Sequence, residues 1–313
     1  MEAMFALASS CMLLRWLNIT QTYLLKAIHI ANECHMSFVP KDGPVPVFSG
    51  DVHEHITQLS QLIYLENFLF LTRNGVEPKA TSRLEEEFRT ELEASYPFAF
   101  DTCPLIMRTR GILLIRDAIF VLGVYPSQSA MLKDWRTLCS KIINQLQAHT
   151  DALQQCLGWF TSIGDKESSD VIWSNCISCL AYLANLYLII APTDYPTAPA
   201  VESLCDTTLS TLGRLTEAMV IEEYSYFDLL LGMCWKRAME GFKTRTSLLP
   251  VEETTTLVHW WKIVADAYTT YKDKIPDCEP PLLSSLALLE DGRTEDSKYP
   301  NLLYSQTRAE LGI

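Results

Sequence analysis

From Val171 to Ala191 the chain reads VIWSNCISCLAYLANLYLIIA, 21 residues without one charged side chain. A run that long and apolar has two physical outlets: it spans a bilayer, or it is a helix with protein on every side. The polar residues decide between them. Ser174, Asn175, Ser178 and Asn185 interrupt the run, Lys166, Glu167 and Asp170 precede it, and no basic cluster flanks either end to orient it in a membrane. The segment therefore predicts a buried central helix and no membrane contact, and the rest of the chain must supply its neighbours.

Neighbours of the right kind are present. Leu132, Trp135, Cys139, Ile142, Leu146, His149, Leu153, Cys156 and Phe160 step by threes and fours, with Lys, Arg, Gln and Asp between them, which predicts a long amphipathic helix. A second stripe runs Leu257, Trp261, Val264, Tyr268, Tyr271, and a third Val201, Leu204, Cys205, Thr208, Leu212, Leu215, Met219. No stretch alternates with period two between hairpin signals, and Asn74-Gly75, after FLFLTR, reads as a helix C-cap. Proline-rich stretches at Pro40–Pro46, Pro192–Pro199 and Pro276–Pro281 must stop helices.

The fold these patterns predict is an all-α bundle of roughly ten helices around a buried apolar central helix. Helices are expected near 3–17, 21–36, 51–72, 80–93, 104–123, 128–162, 168–191, 198–219, 222–244, 251–273 and 281–290. They form one helical domain over 1–290, with points of subdivision near 40–50 and 192–199, followed by a polar tail over 291–313.

Charge and cysteine usage narrow the function. With Lys+Arg 25 against Asp+Glu 38, the net charge is -13 and the chain repels phosphate backbones, so direct nucleic-acid contact is not expected. Its 48% hydrophobic content exceeds what a disordered chain carries. Ten cysteines are scattered through apolar surroundings, which fits reduced, buried thiols rather than a disulfide framework. At the N-terminus Glu2 stands where a signal peptide needs positive charge, and Arg15 breaks the apolar run, so no secretory leader is expected.

The motifs of common chemistries are missing from the sequence. There is no G-x-G-x-x-G or G-x4-G-K-[ST] to cradle phosphate, no G-x-S-x-G elbow, no H-E-x-x-H, and no aspartate cluster to hold magnesium. His53 and His55 sit two apart after Asp51, about 200° apart on a helix, so they read as surface or capping residues rather than a metal pair. Cys176 and Cys179 form a C-x-x-C inside the most apolar helix, where neither four zinc ligands nor an electropositive setting is available. His149 occupies a seam position and has no acid partner in sequence, which favours a hydrogen-bonded core residue. Trp16, Trp135, Trp159, Trp173, Trp235, Trp260 and Trp261 fall on apolar faces and read as packing, with lining of an apolar cavity as the alternative. No catalytic residue, metal ligand or cofactor site is expected, and the chain is not expected to be an enzyme.

Several segments carry a family resemblance. FALASSCMLLRWLNITQTYLLKAIHIANECHMSFVP, Phe5 to Pro40, resembles the paired helices that open the regulatory region of fungal zinc-cluster transcription factors. LSQLIYLENFLFLTRNGVEP, Leu59 to Pro78, stands where that family has a Trp-rich helix, Asp-Arg and Gly-Arg-Pro. Here Tyr64 replaces the tryptophans, Glu66-Asn67 the Asp-Arg, and Gly75-Val76-Glu77-Pro78 the Gly-Arg-Pro. Cys103 to Gly123 and Pro280 to Leu302 are similar to zinc-cluster-type proteins of mushroom-forming fungi.

The resemblance implies a transcription-regulatory domain in the nucleus, or in the cytoplasm if a DNA-binding part is truly absent. Its implied partners are transcription machinery or co-regulator proteins, with a small apolar ligand as a further candidate. The family's six closely spaced zinc-binding cysteines are not in this sequence, so the expectation is a fragment or a relative without its DNA reader. The alternative reading is a helical interaction scaffold with no tie to transcription.

Overall fold

The structure, a computed structural model, describes residues 17–39, 49–72, 80–123, 129–191, 198–219 and 229–274. Among the described residues the chain is helical and has no strand. In chain order the helices are α1 Leu17–Glu33, α2 Gly50–Thr72, α3 Ser82–Glu87, α4 Glu93–Ser95, α5 Ala99–Thr102, α6 Pro104–Gly123, α7 Ser129–Ile163, α8 Lys166–Ile190, α9 Ala198–Ala218, α10 Leu229–Ser247 and α11 Thr255–Lys274. A π turn, Phe88–Leu92, joins α3 to α4, and a 3-10 turn, Val251–Glu253, precedes α11. The helices expected over 3–17 and 281–290, the Asn74-Gly75 cap, Trp16 and the tail over 291–313 lie outside the described residues.

The apolar run forms α8, which packs against α6, α7, α9 and α10. Its most apolar 18-residue window is 83% buried among these neighbours, so its apolar surface is covered by protein on all sides. Three of the polar residues inside it are hydrogen-bonded locally or across a helix interface. Ser174 Oγ donates to Val171 O at 3.1 Å, Asn175 Nδ2 donates to Met107 O of α6 at 3.1 Å, and Asn185 Nδ2 donates to Ala181 O and to Arg237 O of α10 at 2.8 and 3.3 Å. Buried amides bonded in this way fix which neighbour lies where, because leaving either one unpaired costs about 1–3 kcal/mol.

Two residues turn α7 back into α8. Gly164 adopts φ 74°, a left-handed conformation that costs glycine nothing. Asp165 N donates to Phe160 O at 3.1 Å and Gly164 N to Thr161 O at 3.2 Å, the double bond of a Schellman C-cap. Asp165 then caps α8, its Oδ1 accepting from Ser168 N at 3.1 Å. The contacts His149–Asn175 and Gln147–Tyr187 show the two helices running antiparallel from this turn.

On one side of α8, α1 packs on α2 and α2 on α6. This side is stitched by charge. Arg116 reaches Asn67 of α2 at 2.7 Å and Glu85 of α3, while Arg89 bridges Glu85 and Asp117 at 3.1 and 3.0 Å. Burial pushes the Glu85 carboxyl up, but the guanidinium of Arg116 and then that of Arg89 overcome this and hold it below its usual value. Arg108 stacks over Tyr64, 4.0 Å from the ring centroid, and donates to Gln61 at 2.6 Å.

On the other side, α9 and α10 carry α11. Here close approach dominates: a methyl group at Gly213 would stand 2.7 Å from Trp260, and one at Gly232 the same distance from Tyr271. One fork adds charge, with Arg245 of α10 donating to both oxygens of Asp206 on α9 at 2.7 and 3.0 Å.

Two local expectations differ. The helix expected over 80–93 loosens into the π turn at Phe88 and ends at Ser95, after which Pro97 precedes the short α5. In α11 the residue facing the core is Trp260, against Gly213, whereas Trp261 is 40% exposed.

Candidate functional site

The residues singled out in the sequence do not assemble around a reaction centre. Asp51 and His53 lie exposed in the first turns of α2, and His55 Nε2 is 3.0 Å from Ser37 O, tying α2 to the segment after α1. Cys176 and Cys179 are buried free thiols in the core. Burial pushes the Cys176 thiol up to about 12 and raises Cys179 well above its usual value, the reverse of what a nucleophilic or redox cysteine needs. Among the described residues no group of three or more His, Cys, Asp or Glu side chains could hold a metal ion.

Most tryptophans are structural. Trp135 Nε1 donates to Val121 O, Trp173 Nε1 to Leu215 O and Trp235 Nε1 to Thr216 Oγ1, at 3.0, 2.9 and 3.1 Å. Tyr64, Glu66 and Asn67, singled out in the sequence, have structural roles too. Tyr64 underlies Arg108, Asn67 holds Arg116, and Glu66 caps the start of α3 by accepting from Ala80 N and Thr81 N at 3.1 and 2.9 Å.

His149 meets α6 and α8 at a buried polar junction. Its Nε2 lies 3.5 Å from Asn175 Nδ2, and its Nδ1 has no hydrogen-bond partner. Asn175 in turn accepts from Cys179 Sγ at 3.6 Å and lies directly against Gly111 of α6, where a side chain would collide with it. Burial pushes the imidazole down to about 3, the nearby Arg110 adds to this, and the Met107 carbonyl opposes it. An imidazole held that low stays neutral near neutrality and has little capacity to take a proton there. The junction locks three helices together.

One open surface among the described residues is the outer side of α7. Its inner stripe is buried at Trp135, Cys139, Ile142, Leu146, His149, Leu153 and Phe160, as the sequence pattern requires. Opposite that stripe Lys133, Thr137, Ser140, Lys141 and Asn144 are exposed. Arg136 beside them is half-buried, and its Nε is shielded from solvent with no hydrogen-bond partner. Among the described residues no carboxylate pairs with Lys133, Arg136 or Lys141. From Trp135 to Gly164, after the exposed Asp134, the sequence holds a single acid, Asp151, in a chain of net charge -13.

Toward its C-terminal end the same helix presents apolar groups to solvent. Trp159 is 54% exposed and Ile163, one turn on, 56% exposed. Next to them α5 lies against α7, with Cys156 Sγ donating to Asp101 O, and Phe98 at the start of α5 is 45% exposed. Sequence reasoning assigned Trp159 to packing and passed over the three cations. The depletion of acids along 135–164 was the available signal.

No protein-family model matches the chain, and neither curated proteins nor solved structures give a match.

Proposed function

We propose that this chain is a transcription-regulatory domain of the fungal zinc-cluster kind, acting in the nucleus through protein contacts and not through chemistry of its own. The observation that carries the contact half of this reading is the outer side of α7: a 35-residue helix anchored by a buried seam, cationic at one end, apolar at the other and without a covering partner among the described residues. An exposed tryptophan is the kind of side chain that anchors protein contacts, and unpaired basic groups on the same helix add a charge for a partner to match. The transcriptional half rests on the resemblance of the segments around Leu59–Pro78 and Cys103–Gly123.

Fusion of the chain to a heterologous DNA-binding domain, read through a reporter gene, tests the reading. A change in reporter output, with or without inducing metabolites, is expected. A flat response in both directions overturns the transcriptional role. A helical scaffold unrelated to transcription rests on the same surface, and purification with bound partners separates the two, since the first recovers transcription components and the second does not.

A further inference from the structure

Resting on that reading, we propose that the outer side of α7 is the docking strip for an acidic amphipathic helix of a partner protein. At about 100° per residue, Lys141, Gln145, Ala148, Ala152, Trp159 and Ile163 fall within about 60° of arc, so they form one continuous strip along the helix. From Lys141 to Ile163 it extends roughly 33 Å, the length of a helix of about 20 residues. Lys141 stands at one end of it, with Lys133 about 80° and Arg136 about 140° round the helix from Lys141; the uncharged Gln145, Ala148 and Ala152 are in the middle, and Trp159 with Ile163 at the other end.

A partner must match both ends. The exposed, unpaired Lys141 and, beyond it, Lys133 call for carboxylates. The half-exposed indole and isoleucine call for aliphatic side chains, presented at helical spacing because the strip follows a helix. The chain's net charge of -13 does not forbid this. At physiological ionic strength fields die within about 8 Å, so the local sign of the strip governs the contact. A second copy of the chain is disfavoured as occupant: in parallel register two such strips would oppose cation to cation, and in antiparallel register the strip offers the lysines no carboxylate.

The test uses the full chain and a fluorescent 20-residue amphipathic helix built from Leu and Glu, with a Leu/Lys peptide as control. Fluorescence anisotropy should show saturable, salt-sensitive binding of the Leu/Glu peptide. The pair K133E/K141E and the pair W159S/I163S should each weaken it at least tenfold, with circular dichroism unchanged because all four side chains are exposed. Unchanged affinity in either pair overturns the proposal, as does a Leu/Lys peptide that competes for the same strip. Self-association abolished by W159S/I163S would place a second copy there, and binding to phosphatidylserine vesicles abolished by K133E/K141E would place a membrane there; either result overturns it. A silent reporter with peptide binding intact would sink the transcriptional reading and leave the docking strip standing, and the converse result would do the opposite.

Discussion

α7 and α8 are joined by two residues and share one interface, yet α8 meets protein on every side whereas half of α7 meets solvent. The difference is written in their polar residues. Past the exposed Lys166 and Glu167 of its first turn, those of α8 are short and turn inward, so Asn175 and Asn185 each bond a backbone carbonyl of another helix. Most of those of α7 stay in water, the buried His149 and Thr150 excepted. A helix with no free face can specify only the fold. A helix with one free face can also specify a contact.

Substitutions can break or sharpen this contrast. Ile177→Ala in α8, fully buried, should cost about 2–5 kcal/mol, because it removes packing on a helix that has no solvent side to relax into; urea unfolding measures it, and a loss under about 1 kcal/mol would mean that α8 is not the core. His149 should make stability pH-dependent. Its folded pKa of about 3 lies below the unfolded 6.5, so the unfolded chain binds the proton first. Stability is then complete above about pH 6.5 and falls toward about pH 3 by a few kcal/mol. Unfolding midpoints across that range should show a shallower slope in His149→Gln than in the wild type.

Gly111→Ala places a methyl 2.9 Å from Asn175 Cγ and should cost about 1–3 kcal/mol. Adding Asn175→Ala in the same chain should recover part of that loss, the signature of a direct clash in a double-mutant cycle. Asp165→Ala deletes the cap of α8 and should cost about 1 kcal/mol by thermal unfolding. At the far end of the scale, Trp159→Ser on the open side of α7 should leave stability within about 0.5 kcal/mol. A large loss there would mean that this indole belongs to the core.

Sequence patterning was enough for the seam of α7, because a strict step of threes and fours leaves one face to bury, and each seam position from Trp135 to Phe160 is at least partly buried. The helical nature and central place of α8 were legible for the same reason. It was less informative where two large apolar residues adjoin. Trp260 and Trp261 are about 100° apart on a helix, and which one turns inward depends on Gly213, a residue on another helix that offers room for the ring. The break at Tyr96-Pro97 falls in the gap expected between the helices over 80–93 and 104–123, whereas the short α5 inside that gap has no periodic signal of its own. Partners such as Met107 for Asn175 or Glu85 for Arg116 lie 68 and 31 positions away in sequence, and no local period encodes them. The open strip of α7 was hidden for a related reason: solvated lysines and a tryptophan on an amphipathic helix look the same in sequence whether or not a partner covers them.

The Gly164-Asp165 turn also bears on how the chain reaches its fold. Closing a loop of two residues costs the least chain entropy of any tertiary contact, and this one brings together a continuous apolar stripe and the most apolar helix of the protein. The α7–α8 hairpin is therefore expected to act as the kinetic nucleus on which α6, α9 and α10 condense, with φ-values in the hairpin above those in α1 and α11. Lengthening this turn would then slow folding more than the same insertion elsewhere.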